Sequence, residues 1–436
     1  MKFLVLKRSF VVSVASLVTL LMVLLPGCGD TFRPVPNPIT GPGGNPEDVK
    51  NAVVLSSPCG SAAIATEIDV AGDSVALQMP LGVIATIPCP PSPAMPPLIN
   101  LDPTTDRVFI SNTFEDTITT YSALQIPAAG GAEFPVPPTT TTISLPVGSA
   151  PVYAQQAPAG SVYVALSGRT STGAVGVVDG TTFELTTVIT DPAITNPVFI
   201  AALPAGGKVY SINRGGTSAT CPGSNTVSAI STVDNTISAT ICVGVSPVWA
   251  AFNADGSKLF VINQGSPNGS DISVIDTTTD TVAQTLGTDT SRPTATDDSP
   301  NYAVFNVNRN RLYVTNSGSG ALSVIAGATT PLTLLRRVSL GAGAKPVSVA
   351  ALTDGSRVYV ADAAGGVSVV NALSFSVKPI AIPAGSFVSI ASTSDSNKVY
   401  AVDGGSNKVY GIRTSDDTVT ATLPVPATAT YVVVTP

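Results

Sequence analysis

The chain has 436 residues and no histidine. That absence removes the imidazole general base, the Ser-His-Asp and Cys-His nucleophile pairs, and any His-ligated zinc or iron site. Charge is scarce as well: 11% of residues are Asp, Glu, Lys or Arg, against roughly 25% in an ordinary soluble protein. The formal net charge is −7 and the few basic residues are scattered, so nucleic acid finds no basic track to follow. The five cysteines never fall at CxxC spacing, which argues against a four-cysteine zinc site. No cofactor or metal is expected. What is plentiful is Gly (38) and Pro (37), with Ser, Thr, Val and Ala. This composition suits short strands and tight turns and suits long helices badly.

The first residues read as a targeting segment. Lys2, Lys7 and Arg8 precede an uncharged apolar run from Ser9 to Leu25, then Leu25-Pro26-Gly27-Cys28. A charged start, a short apolar core and small residues make a secretion signal. The cysteine at its end resembles the lipobox of bacterial lipoproteins. The resemblance implies cleavage after residue 27 and acyl chains on Cys28, anchoring the protein to a membrane of the cell envelope. The competing readings are an uncleaved membrane helix, for which 17 apolar residues are marginal, and an ordinary secreted protein. Residues 28–50 are rich in Pro and Gly without apolar periodicity and read as a tether. Residues 51–436 remain as one domain.

That domain repeats a phrase. Its copies begin at Arg107, Ser161, Lys208, Lys258, Arg311, Arg357 and Lys398, as in Lys258-Leu-Phe-Val-Ile-Asn263. Before each lies an apolar run such as Pro247-Val-Trp-Ala-Ala-Phe252, and after it two alternating segments. The copies start 41 to 54 residues apart, and four strands per unit of this size is the signature of a β-propeller. Seven units run from about Pro97 to Val425. The leftover ends, Ala52 to Ile87 and Thr428 to Val434, combine into one more blade, which removes free sheet edges. The expected fold is therefore an all-β propeller of four-stranded blades. Eight blades are favoured over seven, with the C-terminal strand joining the N-terminal blade.

Tyr313-Val314-Thr315-Asn316, together with the segment from Ser273 to Val282, resembles the YVTN-type β-propeller repeat. The resemblance runs from about Asn51 to the C-terminus. It implies an exported bacterial protein or an archaeal surface-layer protein, usually of seven blades, and says little about function. Four cysteines besides Cys28 allow three pairings. Cys221 precedes the third strand of its unit and Cys242 ends the fourth. Cys59 and Cys89 stand in the same relation, so Cys59–Cys89 and Cys221–Cys242 are the expected bridges.

The inner strands carry almost no charge, and the segments beginning at Pro151, Pro197 and Pro247 contain no Asp, Glu, Lys or Arg. An enzyme needs converging titratable groups, and Gln155 and Gln156 offer hydrogen bonds only. Trp249 reads as core. The mouth loops are richer in charge, and there Arg169, Arg214, Arg292, Asp297 and Asp298 form the candidate ligand-binding set. The arginines suit acidic or sugar groups. The aspartates lack the spacing of a calcium loop. The expected function is a monomeric, non-enzymatic binding or scaffold protein of the envelope that recognises a protein or glycan. The alternatives are a lactonase-like hydrolase, which the lack of histidine disfavours, and a surface-layer or adhesion protein.

Overall fold

The computed structural model describes residues 50–57, 62–84, 99–123, 138–169, 173–215, 221, 225–265, 271–287, 298–327 and 331–436. The signal segment, Cys28, most of the tether and the proposed Cys59–Cys89 bridge lie outside the described residues. Every regular element among those described is a strand. The strands form eight four-stranded antiparallel sheets. Blade 1 is composite, with Ala429–Val434 as its inner strand followed by Asn51–Ser56, Ala62–Asp69 and Ser74–Ile84. Blades 2 to 8 span residues 99–144, 151–189, 197–242, 247–287, 300–339, 346–379 and 387–424. The eight-blade count and the joining of tail to head are thus as the repeat arithmetic predicted. At the closure Val433 lies opposite Val53 and Val432 opposite Val54. The Asn51 amide donates to Thr435 Oγ1 at 2.8 Å, and the Thr435 amide to the Asn51 carbonyl at 2.9 Å.

Each copy of the repeated phrase is the second strand of its blade, sandwiched between neighbouring blades. In Lys258–Asn263 only the lysine escapes full burial. The third residue of the phrase is aromatic in every copy: Phe109, Tyr163, Tyr210, Phe260, Tyr313, Tyr359 and Tyr400, none more than 1% exposed. Burying a side chain of this size contributes roughly 1.5–3 kcal/mol, so these rings are the main cement between sheets. Outer strands such as Thr281–Gly287 alternate exposed and half-buried positions, as an edge facing water should.

The phrase also carries polar latches. In blade 4, Lys208 Nζ and Tyr210 OH both bond Asp280, at 2.7 Å each, in the outer hairpin of blade 5. Blade 7 repeats this with Arg357 and Tyr359 on Asp417 at 2.8 and 2.6 Å. Blade 8 does so with Lys398 and Tyr400 on Asp73, both at 2.8 Å. Where the hairpin residue is Phe183 or Phe375, the arginine of the preceding blade stacks on its ring instead, Arg107 at 4.5 Å and Arg311 at 5.4 Å. All five hairpin residues have φ between 50° and 59°, so one left-handed turn position faces the preceding blade each time. The expected Cys221–Cys242 bridge is present in blade 4 and spans 21 residues. A loop of that size constrains the unfolded chain by about 3 kcal/mol.

Candidate functional site

The inner strands present an unpaired edge to the ring axis, and their sequence decides how it is treated. Most open with proline, which has no N–H to donate. A register shift follows between Pro151 and Tyr153, Pro197 and Phe199, Pro247 and Trp249, Pro300 and Tyr302, and Pro346 and Ser348. Such a bulge re-aims the side chain after it. In these five strands, in Phe387–Ser392 and in the tail strand Ala429–Val434 the third position forms one layer around the hub. Edge amides there are capped from the preceding blade. Ala202 N donates to Gln155 Oε1 at 3.1 Å, Ile390 N to Ser348 Oγ at 3.3 Å and Val432 N to Ser389 Oγ at 3.2 Å.

The layer is lopsided. Tyr153, Phe199, Trp249 and Tyr302 stack one on the next with centroids 4.3, 4.3 and 4.4 Å apart. Blades 7 and 8 place Ser348 and Ser389 at the same position. In the space left by these small residues Tyr431 OH donates to Tyr302 OH at 3.0 Å. Trp249 Nε1 is bonded to the Ala303 carbonyl at 2.9 Å. Burial pushes the phenols of Tyr153, Tyr302 and Tyr431 above their ordinary range, so all three stay protonated at neutral pH. Against this layer lies a cavity of about 350 Å³, whose walls are Val, Ala, Ile and Leu side chains with Asn100 and Ser392. Among the described residues that line it, none is an Asp, Glu, Lys or Arg.

The mouth residues singled out in the sequence have separate fates. Arg169 pairs with Asp116 and donates to the Phe114 carbonyl at 2.9 Å. Burial opposes the ionisation of Asp116, but the amides of Ala150 and Gly148 and the Arg169 guanidinium together hold its carboxyl below the usual range. Asp298 is buried and bonds Arg337 Nη2 at 2.7 Å. Both residues are therefore internal ties of the ring. Arg292 and Asp297 lie outside the described residues. Arg214, after the second strand of blade 4, differs from the other two. It is half-buried, its Nε is buried without a hydrogen-bond partner, and burial alone lowers its pKa. Among the described residues no carboxylate pairs with it. No cluster of three Cys, Asp or Glu able to hold a metal occurs among those residues.

The search for converging charge in the sequence passed over the hub phenols. Their signal was there: an aromatic at the third inner-strand position, after proline, in four successive units. Trp249, read as core, is half-buried at the hub and lines the cavity.

No family profile and no curated protein matches the chain. Solved structures do. AztD of Citrobacter koseri aligns over 89% of this chain and 98% of its own, with a TM-score of 0.61 at 9% identity. The periplasmic gluconolactonase PpgL of Pseudomonas aeruginosa aligns over 89% and 99%, with 0.52 at 16%. The dihydro-heme d1 dehydrogenase NirN, in complex with DHE, aligns over 88% and 74%, with 0.64 at 11%. At these identities the likeness establishes the propeller fold.

Proposed function

We propose that this chain is an exported, lipid-anchored propeller of the YVTN kind that binds an envelope partner, a protein or glycan bearing acidic groups, without transforming it. The observation that carries the reading is Arg214. A half-buried guanidinium whose Nε has no hydrogen-bond partner, and which has no carboxylate partner among the described residues, is costly unless a ligand supplies the counter-charge. Its place on a loop at the ring mouth is where rigid scaffolds hold binding residues. The hub supports the non-catalytic half of the reading. Its phenols stay protonated at neutral pH and so are not available as bases, and among the described residues the cavity wall has no carboxylate to activate water.

The test uses the mature chain immobilised and challenged with polygalacturonate and with neutral dextran. The acidic polymer is expected to bind and dextran not to. Arg214→Gln should weaken binding on the order of tenfold or more, the range for losing one charged hydrogen-bonded contact. Equal retention of both polymers, or an unchanged Arg214→Gln variant, would refute the assignment. A lactonase-like activity is the second reading, favoured by the likeness to the gluconolactonase. Hydrolysis of gluconolactone above the buffer rate, lost in Arg214→Gln, would put it first.

A further inference from the structure

The hub cavity has a chemistry of its own, distinct from the mouth. At about 350 Å³ it sits at the small end of ligand pockets, which run roughly 300–1,000 Å³. Tyr431 gives its proton to Tyr302. That leaves the Tyr302 proton, and likewise the Tyr153 hydroxyl, without a protein acceptor among the described residues. A hydroxyl that accepts one hydrogen bond becomes a stronger donor of the next. The rings add to this polarity. Phe199 and Tyr302 cover the two faces of Trp249, so this ring, which lines the cavity, offers a guest mainly its edge, which is electropositive. The cavity therefore presents positive potential on one side and aliphatic wall on the other.

We propose that this cavity binds a small uncharged molecule with an apolar ring body and a carbonyl-type oxygen, such as a cyclic ketone or lactone, the oxygen accepting from Tyr302 and Tyr153. A charged guest would be partly desolvated against a wall that offers no counter-ion among the described residues, which is costly. A pure hydrocarbon would leave the two phenol protons unmatched.

Trp249 is the only tryptophan of the chain and lines the cavity, so its emission reports on this site alone. Titration of the full chain with 1-indanone should give saturable quenching, displaced by δ-valerolactone and unaffected by benzoate. Tyr302→Phe, which keeps the ring and removes the donor, should weaken 1-indanone on the order of tenfold. Ala351→Leu, which fills the wall, should abolish saturation. If Tyr302→Phe fails to fold by near-ultraviolet circular dichroism, Tyr153→Phe supplies the same arm. Quenching that rises linearly without saturation, is the same in all variants, or is displaced by benzoate would overturn the proposal. None of these readouts involves Arg214, so either assignment can fail while the other stands.

Discussion

Asp116 and Asp271 lie at the same end of the ring in opposite electrostatic situations. Asp116 receives the amides of Gly148 and Ala150 at 2.7 and 2.8 Å besides Arg169. Asp271 receives the Asn263 amide group at 2.6 Å, and burial outweighs that bond and pushes its pKa up. A carboxyl with a raised folded-state pKa contributes most to stability below its ordinary pKa near 4, and that contribution is lost as pH climbs through the raised value. At neutral pH the ionised, half-buried group is a net cost. Asp271→Asn keeps an acceptor for Asn263 and removes the charge. It should raise the melting temperature at pH 7, with the gain shrinking toward zero by about pH 4. Calorimetry from pH 4 to 8 would read this, and a gain that grows on acidification would contradict it. The same scale explains why the mouth was only half legible. Nothing local distinguishes Arg169 from Arg214. The difference is a carboxylate 53 residues earlier in another blade, and only the fold brings it across.

Strands were legible because their chemistry is local: period, proline, turn residues and β-branched runs fall within a few positions of one another. The latches between blades were not. The basic first residue and aromatic third residue of the phrase read as strand chemistry, yet their partner is a hairpin residue on the next blade, 58 positions away for Tyr359 and 72 for Lys208, and 327 for Tyr400, where blade 8 meets blade 1. Asp280 shows what that position requires. Its φ of 52° favours Asn, Asp or Gly, and its carboxylate accepts from both Lys208 and Tyr210. Blade 4 supplies a natural variant in Asn235, which accepts from Tyr163 at 2.6 Å. Asp280→Asn should therefore cost less than Asp280→Ala, since asparagine keeps an acceptor for Tyr210 and suits the turn, and only the charge of the part-buried pair with Lys208 is lost. Asp280→Ala should cost about 2 kcal/mol or more, because it strands a buried phenol and strains the turn. Urea unfolding distinguishes them. Equal losses would mean that the hairpin residue acts through its charge alone.

For the whole molecule the decisive contact is the last one made in sequence. Asn51 and Thr435 are 384 positions apart, and closing a loop of that length costs roughly 5 kcal/mol by the (3/2)RT ln n rule. One strand pair does not offset this alone; the stacked interfaces of eight blades do, as in other repeat arrays where neighbours stabilise one another. Closure also completes the hub, because Tyr431 belongs to the tail strand Ala429–Val434. Removing residues 427–436 would expose Asn51–Ser56, fully buried in the ring, as a free apolar edge able to pair with another chain. The truncated protein is expected to elute as oligomers in size-exclusion chromatography with light scattering, and to lose the saturable Trp249 response. A synthetic peptide of residues 427–436 should restore both the monomer and the response by refilling the gap in blade 1. Tyr431→Phe keeps the strand and should remain monomeric. A truncated chain that stays monomeric and unfolds in one cooperative step would show that seven blades hold the ring without the tail.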